Sequence, residues 1–314
     1  MKILNTIGKE FAEEAKTILQ SVGDVDYKIP TQADLANIIG EYEVVFIGLG
    51  LNFHKDILEK AGKLKVIATA TTGLDHIDVA FAEKKGITVL SLRGENEFLN
   101  TITGTAELAL GLMIDLARRT PFAFDAVKKY KWKREDFKGI SLFGKTLGVL
   151  GLGRLGSMTA RFGKALGMKV IFTDPFKESV EYEKVTFEEL LKQSDVISIH
   201  VHLLPETQNM FAAEAFKKMK KNAVLINTSR GKIVEEGDLL EALQVRTIAG
   251  YAADVLADEL EFEAKGFKKH PLVEYAKKNQ NLILVPHIGG MTVDSRIATD
   301  VFMAEKVQKY LKSL

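Results

Sequence analysis

The stretch from Thr146 to Gly156, TLGVLGLGRLG, constrains the fold more than any other part of the chain. It begins with a short apolar run that predicts a buried strand, and Gly151, Gly153 and Gly156 follow with the spacing G-x-G-x-x-G. In such a turn the glycines permit the tight bend, the approach of a pyrophosphate and the close packing of the next helix. That helix directs free amides and its positive dipole end at the anion. The stretch predicts a dinucleotide-binding turn, although glycine-rich turns also arise for packing alone.

Short apolar runs alternate with amphipathic stretches along the rest of the chain, and six of them follow from residue 147 onward. Strands joined by helices predict parallel sheets, so we expect an α/β protein with a doubly wound, six-stranded dinucleotide-binding fold. From Thr101 to about Lys131 the apolar spacing is helical, and Pro121 interrupts it, which predicts two helices. The predicted strands are 3–4, 44–47, 66–68, 87–90, 147–150, 170–173, 196–199, 223–227, 247–252 and 282–285. The predicted helices that follow the glycine turn include 177–195, 212–221 and 237–244.

Composition excludes several classes of function. A length of 314 residues exceeds the usual size of one hydrophobic core, so two domains are expected. The net charge of +1 provides no field that would attract nucleic acid, and the short basic stretch YKWKRED at 130–136 is better explained as solvated surface. Cysteine is absent, which excludes disulfides, thiolate zinc sites and cysteine nucleophiles.

The termini and hydropathy give an expectation about location. No apolar run approaches the roughly 18 residues that span a membrane. The first eight residues are followed too soon by charged side chains to form a signal peptide. We therefore expect a cytoplasmic protein whose partners are small molecules, with no nucleic acid and no membrane.

Asp174 ends the second predicted strand of the dinucleotide fold, eighteen residues beyond Gly156. An acidic side chain at about this distance meets the adenosine ribose 2′-hydroxyl in NAD-selective sites. The alternative is an ordinary Asp-Pro turn at a strand end. The glycines upstream favour the ribose contact, so the predicted cofactor is NAD rather than NADP, although Lys177 nearby weakens that selectivity.

Three later segments place reactive side chains after predicted strands. Arg230 follows one strand and His287 another, and an acidic stretch from Asp254 to Glu259 follows the strand between them. Arginine suits the binding of a substrate carboxylate, and histidine suits proton transfer near neutral pH. Either residue alone has a structural alternative, a surface turn for Arg230 and a core position for His287. Their joint placement at strand ends favours catalysis.

Motifs spread over nearly the whole chain resemble those of the D-isomer-specific 2-hydroxyacid dehydrogenases. The matching segments are TTGLDHID (71–78), TAEL (105–108), GKTLGVLGLGRLG (144–156), LLPET (203–207), NTSRGKIVEEGDL (227–239), AADV (252–255) and PHIGGMT (286–292). The resemblance implies two domains, a Rossmann NAD-binding domain over 99–287 inserted in a flavodoxin-like parallel α/β substrate domain formed by 1–98 and 288–314. It also implies hydride transfer between NADH and a 2-oxo acid, and a homodimer built on the helical segment from Thr101.

The same resemblance assigns roles to individual residues. Arg230 would bind the substrate carboxylate and carbonyl, His287 would donate the proton, and Glu259 would orient His287 and raise its pKa. Substrate amides are expected from Thr72 and Gly73. Expected cofactor contacts are Gly151, Gly153, Arg154, Leu155, Gly156, Asp174, Thr207, Thr228, Asp254, which would meet the nicotinamide carboxamide, and Gly289.

The chain departs from the family pattern at three positions. Leu260 stands where a proline often follows the acidic residue, and His202 replaces a proline before LLPET. Gly48 stands where phosphoglycerate dehydrogenases carry an arginine for the substrate phosphate. Two alternative functions remain open, a phosphoglycerate dehydrogenase and an NAD-sensing protein that resembles the family's corepressors.

Two assignments depend on local sequence patterns. Asp258, Glu261 and Glu263 lie close to Glu259 in the sequence, so one of these acids is an alternative partner for His287. The remaining histidines show no metal-ligand spacing, and no metal site is predicted. His200 and His202 alternate along a strand end, where they are expected to line a ligand pocket or an edge rather than to bind a metal.

Overall fold

The computed structural model describes residues 1–48, 50–259, 262 and 266–313, and these form two compact units. One unit contains Met1–Ile102 and the chain from Thr292 onward, and the other contains Thr103–Glu259 and Phe267–Met291. The second unit therefore interrupts the first along the chain. In the described part of the chain, no helix has the length and apolar character needed to cross a membrane.

The strands are β1 (Lys2–Asn5), β2 (Asp24–Tyr27), β3 (Val44–Ile47), β4 (Val66–Thr69), β5 (Thr88–Ser91), β6 (Thr146–Leu150), β7 (Lys169–Thr173), β8 (Glu183–Lys184), β9 (Val196–Ile199), β10 (Val224–Asn227), β11 (Gly250–Ala253) and β12 (Leu282–Leu284). The α-helices are α1 (Glu13–Gln20), α2 (Gln32–Ile38), α3 (Lys55–Leu58), α4 (Val79–Lys84), α5 (Asn96–Leu99), α6 (Gly104–Arg118), α7 (Thr120–Lys128), α8 (Arg154–Ala165), α9 (Phe187–Gln193), α10 (Ala213–Lys218), α11 (Glu236–Gln244), α12 (Pro271–Ala276) and α13 (Val293–Lys312). Short 3₁₀ helices cover Gly8–Glu10, Ile39–Glu41, Arg134–Phe137 and Gly231–Ile233.

The first unit is built on a five-stranded parallel sheet with the order β2-β1-β3-β4-β5. This is the flavodoxin-like order, and it confirms the predicted fold of this part of the chain. Successive side chains of a strand point to opposite faces, so Leu4 and Val45 pack into one core, and Ile3 and Val44 pack into another. Helix α13 covers the second face through Met303, among other side chains.

The second unit is built on a seven-stranded parallel sheet with the order β12-β11-β10-β9-β6-β7-β8. The order reverses direction between β6 and β9, which is the switch point where doubly wound folds bind their ligands. The predicted doubly wound fold is confirmed. Where the sequence predicts six strands, the structure adds β8, a two-residue edge strand whose Glu183 and Lys184 are exposed and carry no apolar signal.

The predicted helix over 177–195 is shorter in the structure, where α9 covers Phe187–Gln193. Thr186 starts it with a capping box, in which Glu189 N donates to Thr186 Oγ1 at 3.2 Å and Thr186 N donates to Glu189 Oε2 at 2.9 Å. The backbone before Thr186 is used in turns around Asp174 and Ser179, whose side-chain oxygens accept nearby amide hydrogens. These local hydrogen bonds compete with helix formation.

The glycine turn joins β6 to α8 as predicted. Gly151 has a φ of +89°, in the left-handed region that favours glycine. A Cβ at Gly156 would lie 1.9 Å from Gly151 O, so the helix packs against the turn at a distance that no larger residue allows. A Cβ at Gly153 would meet nothing within 4 Å. Gly151 is thus required by its backbone conformation and Gly156 by the close packing of the helix, whereas the position of Gly153 leaves open space.

Gly156→Ala is expected to destabilise the protein by about 1–3 kcal/mol, because the added methyl group meets a backbone oxygen that cannot move without shifting the strand. Urea unfolding at equilibrium measures the change. Gly153→Ala is the matched control and should cost about 1 kcal/mol or less, since its Cβ enters open space at a helix N-cap. Equal losses in the two variants would contradict the assignment of separate roles.

Candidate active site

Three neighbouring strands bring the predicted reactive side chains to one edge of the second unit's sheet. Asn227, Ala253 and Leu284 lie side by side in the registers of β10, β11 and β12. The strands are parallel, so the segments that follow them emerge at the same edge. Arg230 and His287 lie on two of these segments, and the segment between them runs from Asp254 to Glu259.

His287 and Glu259 form a direct pair at this edge. His287 Nδ1 lies 2.7 Å from Glu259 Oε1, with the two side chains 29% and 18% exposed. A carboxylate can only accept, so Nδ1 carries the hydrogen and Nε2 remains for chemistry. Glu259 Oε2 also accepts the amide hydrogen of Leu256 at 3.2 Å, which fixes the carboxylate within its own loop. Asp258, the acid directly before Glu259, pairs instead with Lys232 at 2.6 Å. Leu260, Glu261 and Glu263 lie outside the described residues.

The surroundings of His287 favour its protonated form. Burial by itself lowers the pKa of His287, but the hydrogen bond to Glu259 and the charges of Glu259 and Asp254 outweigh it. Arg230 opposes the rise. The net result is a pKa above the ordinary histidine value of 6.5, which keeps an acid available at neutral pH.

Asp254 organises the loop that carries His287. Its Oδ1 accepts the amide hydrogen of Ile288 at 2.6 Å and its Oδ2 accepts that of Gly289 at 2.8 Å. The backbone oxygen of Asp254 also accepts the amide hydrogen of His287 at 2.9 Å. Burial raises the pKa of Asp254 to about 6, against the opposing effect of the two amide hydrogen bonds. Asp254 therefore has a structural role in addition to its predicted contact with nicotinamide.

The turn that carries Arg230 is fixed by Asn227. Its Oδ1 accepts the amide hydrogen of Ser229 at 3.0 Å, and its Nδ2 donates to Arg230 O at 2.9 Å. Arg230 Nη1 donates to Ser229 O at 2.9 Å. A Cβ at Gly231 would lie 2.0 Å from the carbonyl carbon of Leu256, so glycine lets this turn pack against the loop that leads to Glu259.

Sequence reasoning missed the contact between Glu236 and His270, which supports the loop that leads to Glu259. Glu236 Oε1 accepts the amide hydrogen of Ala257 at 2.8 Å, and Glu236 Oε2 lies 3.2 Å from His270 Nε2. Glu236 lies within the matched segment 227–239, so the sequence motif could have indicated a role for this residue. The partner His270 lies far along the chain and has no signal in the sequence.

The residues around the glycine turn fit a dinucleotide. Gly153 is the N-cap of α8, no side chain caps the first amides of this helix, and the space beside Gly153 is open. Asp174 is buried, and it accepts amide hydrogens from Leu152 at 2.8 Å and from Phe176 at 2.8 Å. Among the residues described, Thr228 has a buried hydroxyl oxygen without a hydrogen-bond partner, as expected of a group that awaits a ligand.

The remaining predicted residues lie as follows. Arg154 and Leu155 begin α8. Thr207 Oγ1 donates to His202 O at 2.6 Å and accepts the amide hydrogen of Leu204 at 2.8 Å, so it shapes the loop after β9. Thr72 and Gly73 follow β4 in the first unit, where Thr71 Oγ1 donates to Gly73 O at 2.8 Å.

His200 is held neutral. Burial lowers its pKa to about 4, and its Nε2 lies 2.8 Å from Ser198 Oγ. Its backbone oxygen would lie 2.7 Å from a Cβ at Gly151, so this strand end packs directly beneath the glycine turn. Within the described ranges, no group of three or more histidine, aspartate or glutamate side chains is arranged to hold a metal ion.

Known proteins resemble this chain in sequence and in fold. The family model described as D-isomer specific 2-hydroxyacid dehydrogenase, NAD binding domain, matches residues 110–289. A D-3-phosphoglycerate dehydrogenase of Methanocaldococcus jannaschii is 38% identical over 307 residues, which cover 96% of this chain and 56% of that protein. The chain thus spans little more than half the length of that relative.

Two further comparisons cover most of both chains. A glyoxylate reductase of Thermococcus litoralis is 37% identical over 298 residues, which cover 91% of this chain and 84% of that protein. The crystal structure of a D-lactate dehydrogenase from Aquifex aeolicus, complexed with NAD and lactic acid, superposes with a TM-score of 0.88 at 28% identity. That match covers 100% of this chain and 96% of the other.

Glu259→Gln is expected to lower the pKa of His287, because it removes the charge that outweighs burial while keeping a hydrogen-bond acceptor. An NMR titration of the His287 ring protons measures the shift. Asp258→Asn is the matched control, since Asp258 pairs with Lys232 at 2.6 Å and asparagine tolerates its φ of 55°. A pKa that stays unchanged in the first variant, or falls equally in both, would contradict the pairing.

Proposed function

The chain belongs to the D-isomer specific 2-hydroxyacid dehydrogenase family, and on that premise we propose that it is an NAD-dependent oxidoreductase that interconverts a 2-oxo acid and a D-2-hydroxy acid. The observation that carries this proposal is the His287–Glu259 pair, 2.7 Å long, at the sheet edge that also carries Arg230. Together these residues supply an acid, the carboxylate that keeps it protonated, and a cation for the substrate.

We assign cofactor binding to the second unit. The amides at the start of α8 and the open space at Gly153 suit the pyrophosphate, and Asp174 suits the adenosine ribose. The other contacts proposed are Gly151, Arg154, Leu155, Gly156, Thr207, Thr228, Asp254 and Gly289. When bound, NADH supplies the hydride. The first unit is proposed as the substrate domain, with the amides of Thr72 and Gly73 donating to the substrate carboxylate.

The proton and the developing charge are handled by two side chains. His287 donates from Nε2 to the carbonyl oxygen of the substrate, while its Nδ1 stays bonded to Glu259. Arg230 binds the carboxylate and stabilises the alkoxide, since its guanidinium is always charged and donates in a fork. Reduction requires the imidazolium, so kcat for reduction should fall as pH rises through the pKa of His287. The raised pKa moves that fall to higher pH.

Phosphoglycerate dehydrogenase is the second candidate function. It is favoured by the 38% identity to the Methanocaldococcus jannaschii enzyme. Gly48, directly after β3, speaks against it, because it leaves a substrate phosphate without the arginine expected at this position. A small 2-oxo acid without a phosphate remains the favoured substrate.

The proposed assembly is a cytoplasmic homodimer. Support comes from large apolar side chains that are exposed on α7 and in the segment between α7 and β6 of the second unit. A stable monomer rarely exposes so many large apolar side chains within one stretch of chain, and a partner subunit would bury them. They are Phe124, Val127, Tyr130, Trp132, Ile140 and Phe143.

His287→Asn is expected to lower kcat by about a hundredfold to ten-thousandfold, because water must then replace the positioned acid. The assay follows NADH absorbance at 340 nm with pyruvate, glyoxylate, hydroxypyruvate and 3-phosphohydroxypyruvate. Binding of NADH, measured by fluorescence, should stay unchanged and serves as the control for folding.

Three outcomes would overturn part or all of the proposal. A flat trace with every oxo acid in the unaltered chain would favour an NAD-sensing, corepressor-like binding protein over an enzyme. Unchanged turnover in the variant would remove His287 from the reaction. Selective turnover of 3-phosphohydroxypyruvate would establish the second candidate instead.

Asp174→Asn is expected to raise the ratio of kcat/KM for NADPH to that for NADH about tenfold, equal to about 1.4 kcal/mol. The change removes the charge that repels a ribose 2′-phosphate and keeps one oxygen for the loop amides. Glu178→Gln is the matched control, because this exposed carboxylate lies in the same loop and pairs with Lys184. A ratio unchanged by Asp174→Asn would refute the ribose assignment.

A further inference from the structure

A polar cleft lies at the sheet edge of the second unit opposite the candidate active site. Ala249 and Asn281 line it, and these residues come directly before β11 and β12. The reactive segments follow the carboxyl ends of the same two strands. The cleft has a volume of about 340 Å³ and is therefore large enough for a small organic molecule.

The lining of the cleft is rich in hydrogen-bond donors and positive charge. Arg119 and Arg246 both line it, together with the amide side chains of Gln244, Gln280 and Asn281. No aspartate or glutamate is among the described residues of the lining. Such a surface repels cations and suits an anion.

The two guanidinium groups are not engaged by carboxylates. Arg246 makes no hydrogen bond and no ion pair with any part of the chain that the structure describes. Arg119 makes one hydrogen bond, from Nη1 to the backbone oxygen of Asp136 at 3.3 Å. Most of the donors on both side chains remain available to a ligand.

The backbone at both arginines is unusual. Arg119 directly follows α6 and has a φ of 57°, and Arg246 follows α11 by two residues and has a φ of 58°. Glycine or asparagine ordinarily fills such left-handed positions after helices, and other residues cost roughly 1–2 kcal/mol there. Strain of this kind points to a function for the side chain.

The two arginines also have a structural explanation, because a cation at the C-terminus of a helix can bind the last carbonyl groups of that helix. The described contacts do not support it here. The guanidinium groups of Arg119 and Arg246 donate to no carbonyl of the helices that they follow. A ligand that both arginines face accounts better for their placement.

We propose that this cleft binds a small phosphate monoester, at a site separate from the proposed active site and independent of the proposed reaction. The fork of a guanidinium matches two phosphate oxygens, and the neighbouring amides can donate to the third. Leu243 and Tyr275, which also line the cleft, offer an apolar surface to a short carbon chain.

Isothermal titration with sn-glycerol 3-phosphate and with inorganic phosphate tests this site in a chloride buffer. We expect one phosphate ester bound per chain, and binding about tenfold weaker for each arginine replaced in Arg119→Gln and Arg246→Gln. Arg161→Gln, at an exposed arginine elsewhere in the same unit, is the control and should bind normally. Arg230→Gln should also bind normally, which separates the cleft from the proposed active site.

Several results would overturn the proposal. The first is that the unaltered chain does not bind the phosphate ester, and the second is that Arg161→Gln loses as much affinity as the cleft variants. The third is that Arg230→Gln loses affinity while the cleft variants keep it. The fourth is that acetate binds as tightly as the phosphate ester. Melting temperatures without phosphate verify that each variant folds. The single variant Arg246→Gln keeps the test decisive, since that side chain makes no hydrogen bond or ion pair with the described residues that folding would lose.

Discussion

The hydrogen bonds of Asp254 hold together the loops on which the proposed chemistry depends. Its side chain accepts amide hydrogens from Ile288 and Gly289, and its backbone oxygen accepts that of His287. His287 has a φ of 52°, a conformation that costs a histidine roughly 1–2 kcal/mol. Three hydrogen bonds to one buried residue offset this cost and aim the imidazole at Glu259. An apolar residue at 254 would leave the amides of Ile288 and Gly289 without their acceptors, while the backbone oxygen of residue 254 would still accept from His287. The carboxylate of Asp254 therefore fixes the two residues that follow the histidine of the acid pair.

The sequence predicted the strands that are buried on both faces, because such strands are continuous apolar runs, as at 44–47 and 196–199. It did not predict β2 or β8. Their sequences, DVDY and EK, alternate or lack apolar residues, and both strands exist because an edge of an already formed sheet offers them backbone partners. Helix lengths were missed where side chains cap the backbone, as at Thr186.

The positions of the site residues were more predictable than the edge strands β2 and β8. The reactive residues follow buried strands, and the order of such strands in a parallel sheet is restricted. Arg230, His287 and the acidic stretch 254–259 were expected after neighbouring strands on this basis, and the family resemblance selected Glu259 within that stretch. The structure brings Glu259 and His287 into contact. The contribution of His270 could not be foreseen, since it depends on a contact between distant segments. The same holds for Arg119 and Arg246, whose shared cleft arises from the meeting of two helix ends and corresponds to no motif.

The insertion of the second unit has a consequence for the order of events during synthesis. Helix α13 packs its Met303 and Val307 against the face of the first sheet that includes Ile3 and Phe46. The ribosome makes the whole second unit before it reaches α13, which takes on the order of 10 to 40 s. During that time the apolar face of the nascent first unit lacks the cover that α13 provides, and α1 covers only part of it. Chaperones that recognise exposed aliphatic and aromatic surface should therefore engage this chain at the stage when β1 to β5 have emerged and α13 has not.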